Sequence, residues 1–233
     1  MTAVGVHRPA AGATSGAVPS FPSPGRMAAG VRLVWLYLAS RRVPVALAAL
    51  AAFGTALRAG LEWHWIGATG PGVRQLPSLL EAGAASVIAV VAYNPFGEPE
   101  RATGRWLPWL RLGTAAALTG AAVGVLAAGA AAAHLPGGTL AIGRNVAGAT
   151  GIGLLTAAVT GSALAWIGPM AYTVVAGFAL LSNWTTPWIW PGTPPHDRGA
   201  AISAGLVFAV GMVVITVRGA RDSAAGDGGD GPG

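Results

Sequence analysis

Few side chains of this 233-residue chain are of types that catalyse reactions or bind metals. There are eight acidic residues, four His and no Cys, and all four Asp lie at or beyond position 197. The lack of Cys excludes disulfides, thiolate metal sites and Cys nucleophiles, and the Asp positions exclude a metal-binding Asp cluster. Ser162 follows Gly161 but lacks the following Gly of a serine-protease turn, and only His134 could act as its base. We therefore expect no catalytic residue, no metal, no cofactor and no enzymatic activity.

The densest group of polar residues lies between positions 94 and 111. It comprises Glu98, Glu100, Arg101, Arg105, Trp106 and Trp109. Pro99 and Glu100 suit the first turn of a short helix, in which Trp106 and Trp109 would share one face. Such a helix predicts a contact surface for a membrane or a partner. The alternative is an ordinary interfacial loop, in which Arg meets lipid phosphates and Trp sets the depth.

Isolated polar residues also occur within long apolar stretches. Glu81 is an acid inside such a stretch, where a charge costs about 2.5–3.5 kcal/mol at mid-membrane. It could line a path or a helix interface, but its shallow depth favours contact with lipid headgroups or with Arg74. Arg144 and Asn145 are expected to cap and anchor the start of a helix, and His134 is expected at a membrane boundary.

The composition indicates the elements that must position these residues. Hydrophobic residues make up 53% of the chain and charged residues only 9%, against roughly a quarter charged in soluble domains. All basic residues other than His are Arg, placed singly or in pairs at the ends of apolar runs. A nucleic-acid surface would need a contiguous basic face. We therefore predict an all-α integral membrane protein that does not bind nucleic acid.

The hydropathy pattern predicts six transmembrane helices after an amphipathic interfacial helix at 26–42. The predicted spans are 43–61, 76–93, 110–134, 146–167, 170–184 and 199–217, within a membrane domain at 26–218. Residues 1–25 and 219–233 are predicted to be disordered cytoplasmic tails. Only Gly168 and Pro169 separate the fourth and fifth spans, so these could instead form one kinked segment or a re-entrant pair.

The distribution of Arg predicts the orientation in the cell membrane. With six spans and a cytoplasmic N-terminus, ten Arg fall on the cytoplasmic side and four on the outer side. This agrees with the positive-inside rule and puts both termini in the cytoplasm. The boundary Trp residues agree: the outer boundary would hold Trp63, Trp65, Trp184, Trp188 and Trp190, and the inner boundary Trp35, Trp106 and Trp109.

This layout, the loop NPFGEPERATGRWLPWLRL and the segment RNVAGATGIGLLTAAVTGSALAWIGPMAY resemble permeases of the type-2 ABC exporter class. They also resemble small actinobacterial multi-pass membrane proteins associated with ABC transport. The resemblance covers residues 27–218. It implies that the 94–111 loop is a coupling helix that docks on an ATPase, with Glu98, Glu100, Arg101 and Arg105 at matching positions. Residues 184–192 would match the segment that packs at the outer surface of these permeases.

The chain has no G-x-x-x-x-G-K-[ST] motif, so an ATP-binding partner would be a separate subunit. The resemblance implies two permease chains per complex, identical or different. The apolar spans favour a lipid-like or amphipathic substrate. Two alternatives stay open: a non-catalytic scaffold, accessory or immunity subunit, and an intramembrane enzyme that uses Ser162 and His134.

Overall fold

A computed structural model describes residues 42–63, 72–92, 107–134, 138–182, 184 and 186–218. The predicted interfacial helix, except its last residue Arg42, lies outside the described residues. So do residues 94–106 of the predicted coupling loop and both predicted tails.

The described residues form six α-helices and no β-strand. They are α1 (Val43–Glu62), α2 (Gly72–Val91), α3 (Leu107–Ala132), α4 (Gly138–Thr160), α5 (Ile167–Leu181) and α6 (Arg198–Arg218). Two single 3-10 turns accompany them, Ser162–Leu164 before α5 and Trp190–Gly192 before α6. The all-helical fold class is confirmed for this part of the chain.

Four segments of the described residues are long and apolar enough to cross a membrane: Val43–Glu62, Arg111–Ala132, Ser162–Leu181 and Arg198–Val217. Gln75–Val91 in α2 is apolar but shorter. Large apolar side chains project outward from these helices, for example Phe178 of α5 and Val213 of α6, which are 68% and 60% exposed. A soluble monomer rarely exposes apolar faces of this extent. The structure is therefore consistent with a membrane protein.

Helix α4 differs from these four because it lies at the centre of the bundle. It packs against α2, α3, α5 and α6, and its buried residues are distributed around the helix rather than along one face. It is rich in Gly, Ala and Thr and contains Arg144 and Asn145. A helix enclosed by other helices needs small residues for close packing more than it needs a lipid-compatible surface. This explains why the most central helix is not among the most apolar.

Successive helices run in opposite directions. In α1 and α2, Phe53 faces Gly83 while Gly60 faces Leu76, which is an antiparallel pairing. The first and third helices run the same way, because Gly54 meets Val125 and Gly129 lies near Arg58.

The same alternation continues through the second half of the bundle. Helices α2 and α4 are parallel, since Asn145 bonds Glu81 and Gly153 meets Ala89. In the antiparallel α4–α5 pair, Gly168 meets Thr156. The start of α1 and the end of α6 therefore lie at one end of the bundle. The opposite end, where α2, α4 and α6 begin, is called the cap end.

The bounds of the fourth helix differ from the prediction. It begins at Gly138 rather than Val146 and ends at Thr160. The chain breaks at Gly161, whose φ of 88° is in the region that favours glycine, and not at Gly168 and Pro169. Pro169 is instead in the first turn of α5, where its missing N–H would have had no helical partner. In the described structure α4 and α5 are two separate antiparallel helices.

Candidate functional site

The connection between α5 and α6 folds back onto the cap end of the bundle. We name its residues 186–197 the cap segment. Pro187, Pro191, Pro194 and Pro195 interrupt it, and proline inside a helix removes a backbone donor and clashes with the preceding turn. The segment is therefore irregular apart from its 3-10 turn, and its backbone carbonyls are available to other groups.

Trp190 anchors the cap segment inside the bundle. Its side chain is only 2% exposed and its ring lies directly against Gly148 of α4, where any side chain would collide with the indole. The ring packs at 37° to that of Tyr172, with 4.8 Å between centroids. The indole Nε1 donates to Ser203 Oγ of α6 at 2.9 Å. Trp190 thus joins α4, α5 and α6 through one side chain.

Two hydroxyl groups bind the backbone of the cap segment between Pro187 and Trp190. Tyr172 Oη donates to the Trp188 carbonyl at 2.8 Å and accepts from the Trp190 backbone N–H at 3.0 Å. Ser203 Oγ donates to the Pro187 carbonyl at 2.7 Å. At the end of the segment, Asp197 Oδ1 accepts from the Ala200 backbone N–H at 2.7 Å and caps α6.

Arg144 makes the largest number of bonds to the cap segment. It lies within α4 and is 8% exposed. Its Nη1 donates to the Pro194 carbonyl at 2.9 Å, and its Nη2 donates to the carbonyls of Trp190 and Thr193. The planar guanidinium presents several donors in a fixed geometry. One side chain therefore ties three carbonyls of the cap segment to α4. Two of these carbonyls also accept from backbone N–H groups within the segment, Trp190 from Thr193 at 3.2 Å and Pro194 from Asp197 at 3.1 Å.

Arg144 is also linked to α2 through Asn145. Arg144 Nε donates to Asn145 Oδ1 at 3.3 Å, and Asn145 Nδ2 donates to Glu81 Oε2 at 3.0 Å. Glu81 is 3% exposed. A buried acid is tolerated when a cation and hydrogen-bond donors compensate its charge. These three residues, which we call the Glu81–Asn145–Arg144 network, connect α2, α4 and the cap segment.

The structure places the predicted site residues in different surroundings. Glu81 is buried between α2 and α4 and bonds Asn145, while Arg144 and Asn145 lie in the interior of α4 and do not cap it. Trp109 is 69% exposed in the first turn of α3. Glu98, Glu100, Arg101, Arg105 and Trp106 lie outside the described residues.

The tryptophans near the cap end differ in their exposure. Trp184 and Trp188 are largely exposed, as residues at a membrane boundary would be, whereas Trp190 is buried. Tyr172 and Ser203, which hold Trp190 in place, are not among the residues predicted from the sequence. The sequence offers one indication of this site, the pair Arg144 and Asn145. Two polar residues inside an apolar helix require polar partners elsewhere in the chain.

The geometry separates the two residues of the hypothetical catalytic pair. His134 follows the end of α3 at the cap end, and Ser162 follows the end of α4 at the other end. The 23 residues of α4 correspond to about 35 Å, far beyond hydrogen-bond reach. Among the described residues no group of three or more His, Cys, Asp or Glu could hold a metal ion.

No protein-family model, no curated protein and no solved structure matches this chain.

Proposed function

We propose that this chain is the permease subunit of an ABC-type exporter in the cell membrane and works with a separate ATP-binding subunit. In this proposal all six helices cross the membrane, both termini are cytoplasmic and the cap segment faces outward. The observation that carries it is the cap segment, which lies between the fifth and sixth helices and seals the end opposite the start of α1 and the end of α6. The resemblance drawn from the sequence implies an outer segment of this kind at this place in the chain.

The positions of the helix ends support an ATPase contact at one end of the bundle and an outer cap segment at the other. Val91 and Leu107, the described ends that flank the Glu/Arg/Trp loop, lie at the end of the bundle opposite the cap segment. In the proposed orientation this end is cytoplasmic, where an ATPase could contact Glu98, Glu100, Arg101, Arg105, Trp106 and Trp109. The same orientation follows the positive-inside rule.

The Glu81–Asn145–Arg144 network supplies a mechanical connection between the two ends. A push on the loop after α2 would shift α2 along α4. Such a shift strains the 3.0 Å bond between Asn145 and Glu81, and Asn145 is next to the arginine that holds the cap segment. ATP hydrolysis by the partner would thus change the position of the cap segment and alternate access to a site between permease chains.

The substrate class follows from the surfaces available. The buried clusters of the described bundle are composed of Ala, Leu, Ile, Val and Met212. The buried polar residues outside the network are uncharged: Ser78, Ser86, Thr119 and Thr150. A path between such helices suits a lipid-like or amphipathic molecule better than a hydrated ion. We propose that two permease chains, identical or different, form this path.

Co-purification tests the proposal. The full-length chain is isolated in mild detergent from its native host, and its partners are identified by mass spectrometry. We expect an ATP-binding-cassette subunit with the natural chain and none with the double variant Glu98→Ala, Arg101→Ala. The matched control is Arg58→Ala, Glu62→Ala, which removes an exposed ion pair at the cap end and should retain the subunit.

The outcomes separate the candidate functions. Loss of the ATPase from the loop variant alone supports the permease. Recovery of the ATPase with all variants removes the coupling role of Glu98 and Arg101. Recovery of the chain without any ATPase overturns the permease and favours a scaffold or accessory subunit.

A further inference from the structure

A groove runs between α2 and α5 on the side of the bundle away from α1. It has a volume of about 190 Å³ and its walls are almost entirely apolar. Its lining includes Gln75, Ser78 and Leu79 of α2 and Met170, Val174, Gly177 and Leu180 of α5. Apolar cavities exclude water and take up apolar molecules, so hydrocarbon is the expected content.

The groove opens onto the apolar outer face of the bundle. Leu79 and Val174 form its walls and are also 53% and 60% exposed. Phe178, next to Gly177, extends the same face. The groove is therefore continuous with a surface that lipid would cover, and a chain in the bilayer can enter it sideways without crossing a polar barrier.

The polarity of the groove changes along its length. Gln75, a residue of the first turn of α2, and Leu180, near the end of α5, lie at the cap end. Met170, ten residues before Leu180, lies about 15 Å deeper. The Thr173 hydroxyl between them donates to the Pro169 carbonyl of its own helix at 2.8 Å, which satisfies its polar group away from the groove. The polar lining residues of α2, Gln75 and Ser78, thus lie towards the cap end, and the wall around Met170 is apolar.

We propose that this groove binds one acyl chain of a membrane phospholipid, with the headgroup at the cap end beside Gln75 and the chain tail towards Met170. Pockets with apolar walls and a few polar groups at one end fix the orientation of an amphipathic ligand. For the acyl chain to bind in the groove, the helix bundle need only lie in a membrane. The identification of phospholipid as the class of transported substrate rests on the proposed permease function.

Gly177 allows the groove to be filled without disturbing the helix packing. A side chain there would meet no atom within 4 Å, because it would project into the groove. Gly205 of α6 is the matched control: a side chain there also meets nothing within 4 Å, and Gly205 is not part of the groove. The variants Gly177→Phe and Gly205→Phe therefore add the same group at two open sites.

The test uses the purified full-length protein in phosphatidylglycerol vesicles that contain a phosphatidylglycerol with a photoactivatable diazirine on one acyl chain. Cross-linked peptides are mapped by mass spectrometry. We expect labelling concentrated on residues 75–79 and 170–180, reduced at least fivefold by Gly177→Phe and unchanged by Gly205→Phe. If Gly177→Phe does not fold, judged by gel filtration, Gly177→Leu fills less of the same space and should give a smaller reduction.

Equal labelling of the natural chain and the Gly177 variants overturns the inference, as does labelling spread evenly over all outward-facing helices. The readout requires no ATPase. Labelling of the groove in a chain that recovers no ATP-binding subunit would uphold lipid binding and overturn the permease. The reverse result would uphold the permease and remove this groove as a lipid site.

Discussion

Arg144 donates hydrogen bonds to three backbone carbonyls of the cap segment, those of Trp190, Thr193 and Pro194. Bonds from a charged donor contribute about 1.5–3 kcal/mol each. The carbonyls of Trp190 and Pro194 also accept from the backbone N–H groups of Thr193 and Asp197. Local hydrogen bonds therefore shape the cap segment, while Arg144 ties it to α4, and the position of the segment on the bundle depends on this arginine.

The absence of Cys from the natural chain makes this dependence measurable. Ile189 of the cap segment is buried, so a cysteine introduced by Ile189→Cys should react slowly with a water-soluble maleimide. Adding Arg144→Met removes the donors, and we expect the reaction to accelerate about tenfold or more, since tenfold corresponds to a loss of only about 1.4 kcal/mol. The labelling rate in detergent is the measurement.

Arg58→Met is the control for the loss of an arginine at the same end. Arg58 pairs with Glu62 on an exposed face of α1, and exposed ion pairs contribute little. Its labelling rate at position 189 should equal that of the single-cysteine chain. An unchanged rate with Arg144→Met would mean that the aromatic and hydroxyl contacts alone hold the cap segment.

At the scale of the elements, glycines determine how closely α4 approaches α6. A methyl group at Gly151 would lie 2.5 Å from the Val207 carbonyl oxygen, and one at Gly211 would lie 2.6 Å from the Gly151 carbonyl oxygen. Both obstacles are backbone atoms, which cannot rotate away. The two helices therefore touch through their backbones at this crossing, as small residues permit in helix bundles.

Gly151→Ala and Gly211→Ala should each destabilise the bundle by about 1–3 kcal/mol, because the helices must separate to admit the methyl group. Thermal unfolding in detergent, followed by loss of the monodisperse gel-filtration peak, measures the effect. Gly120→Ala is the control, since a side chain at Gly120 meets nothing within 4 Å. This variant should be neutral or slightly stabilising. Equal behaviour of all three variants would contradict the close crossing.

The helix bounds show how much of the fold could be predicted from the sequence. The starts of α1 and α6 follow from apolar runs, and the predicted spans overlap all six helices of the described part. The break between α4 and α5 is predicted at Gly168 and Pro169 but lies at Gly161. The start of α4 could not be predicted this way, because Arg144 and Asn145 look like boundary residues until their partners are known. Those partners, Glu81 and the cap carbonyls, lie 64 and about 50 residues away in the chain.

The candidate site was predictable to a smaller extent. The sequence drew attention to Glu81 and to the pair at 144–145 separately, but nothing local joins them. The burial of Trp190 has no sequence signal either, because its neighbours Trp184 and Trp188 are exposed tryptophans in the same short stretch. Packing against Gly148 of a different helix decides which tryptophan enters the bundle.

For the whole molecule, the alternating helix directions put the start of α1 and the end of α6 at one end and the cap segment at the other. If all six helices span the membrane with cytoplasmic termini, two single-cysteine variants should behave oppositely in intact cells. Trp184→Cys should react with a membrane-impermeant maleimide, since Trp184 is exposed beside the cap segment. Ser223→Cys in the C-terminal tail should react only after lysis.

Two other labelling patterns of these cysteine variants would contradict the proposed orientation. Reaction of Ser223→Cys alone in intact cells would invert the proposed orientation and contradict the positive-inside rule for this chain. Reaction of both variants in intact cells would place residues 184 and 223 on the same side of the membrane, so α6 would not cross it.

The central position of α4 has a consequence for how the protein is made. If α4 spans the membrane, Arg144, its seventh residue, disfavours insertion by less than the about 2.5–3.5 kcal/mol of an arginine at the centre of a helix, and α4 lacks the apolar surplus of α6. When α4 is synthesised, α2 already offers Glu81 to Asn145, but the carbonyls that accept from Arg144 belong to residues 190–194 and do not yet exist. In that case the nascent α4 would depend on the earlier helices or on the insertion machinery for shelter. The middle of the bundle is completed only when the last third of the chain arrives.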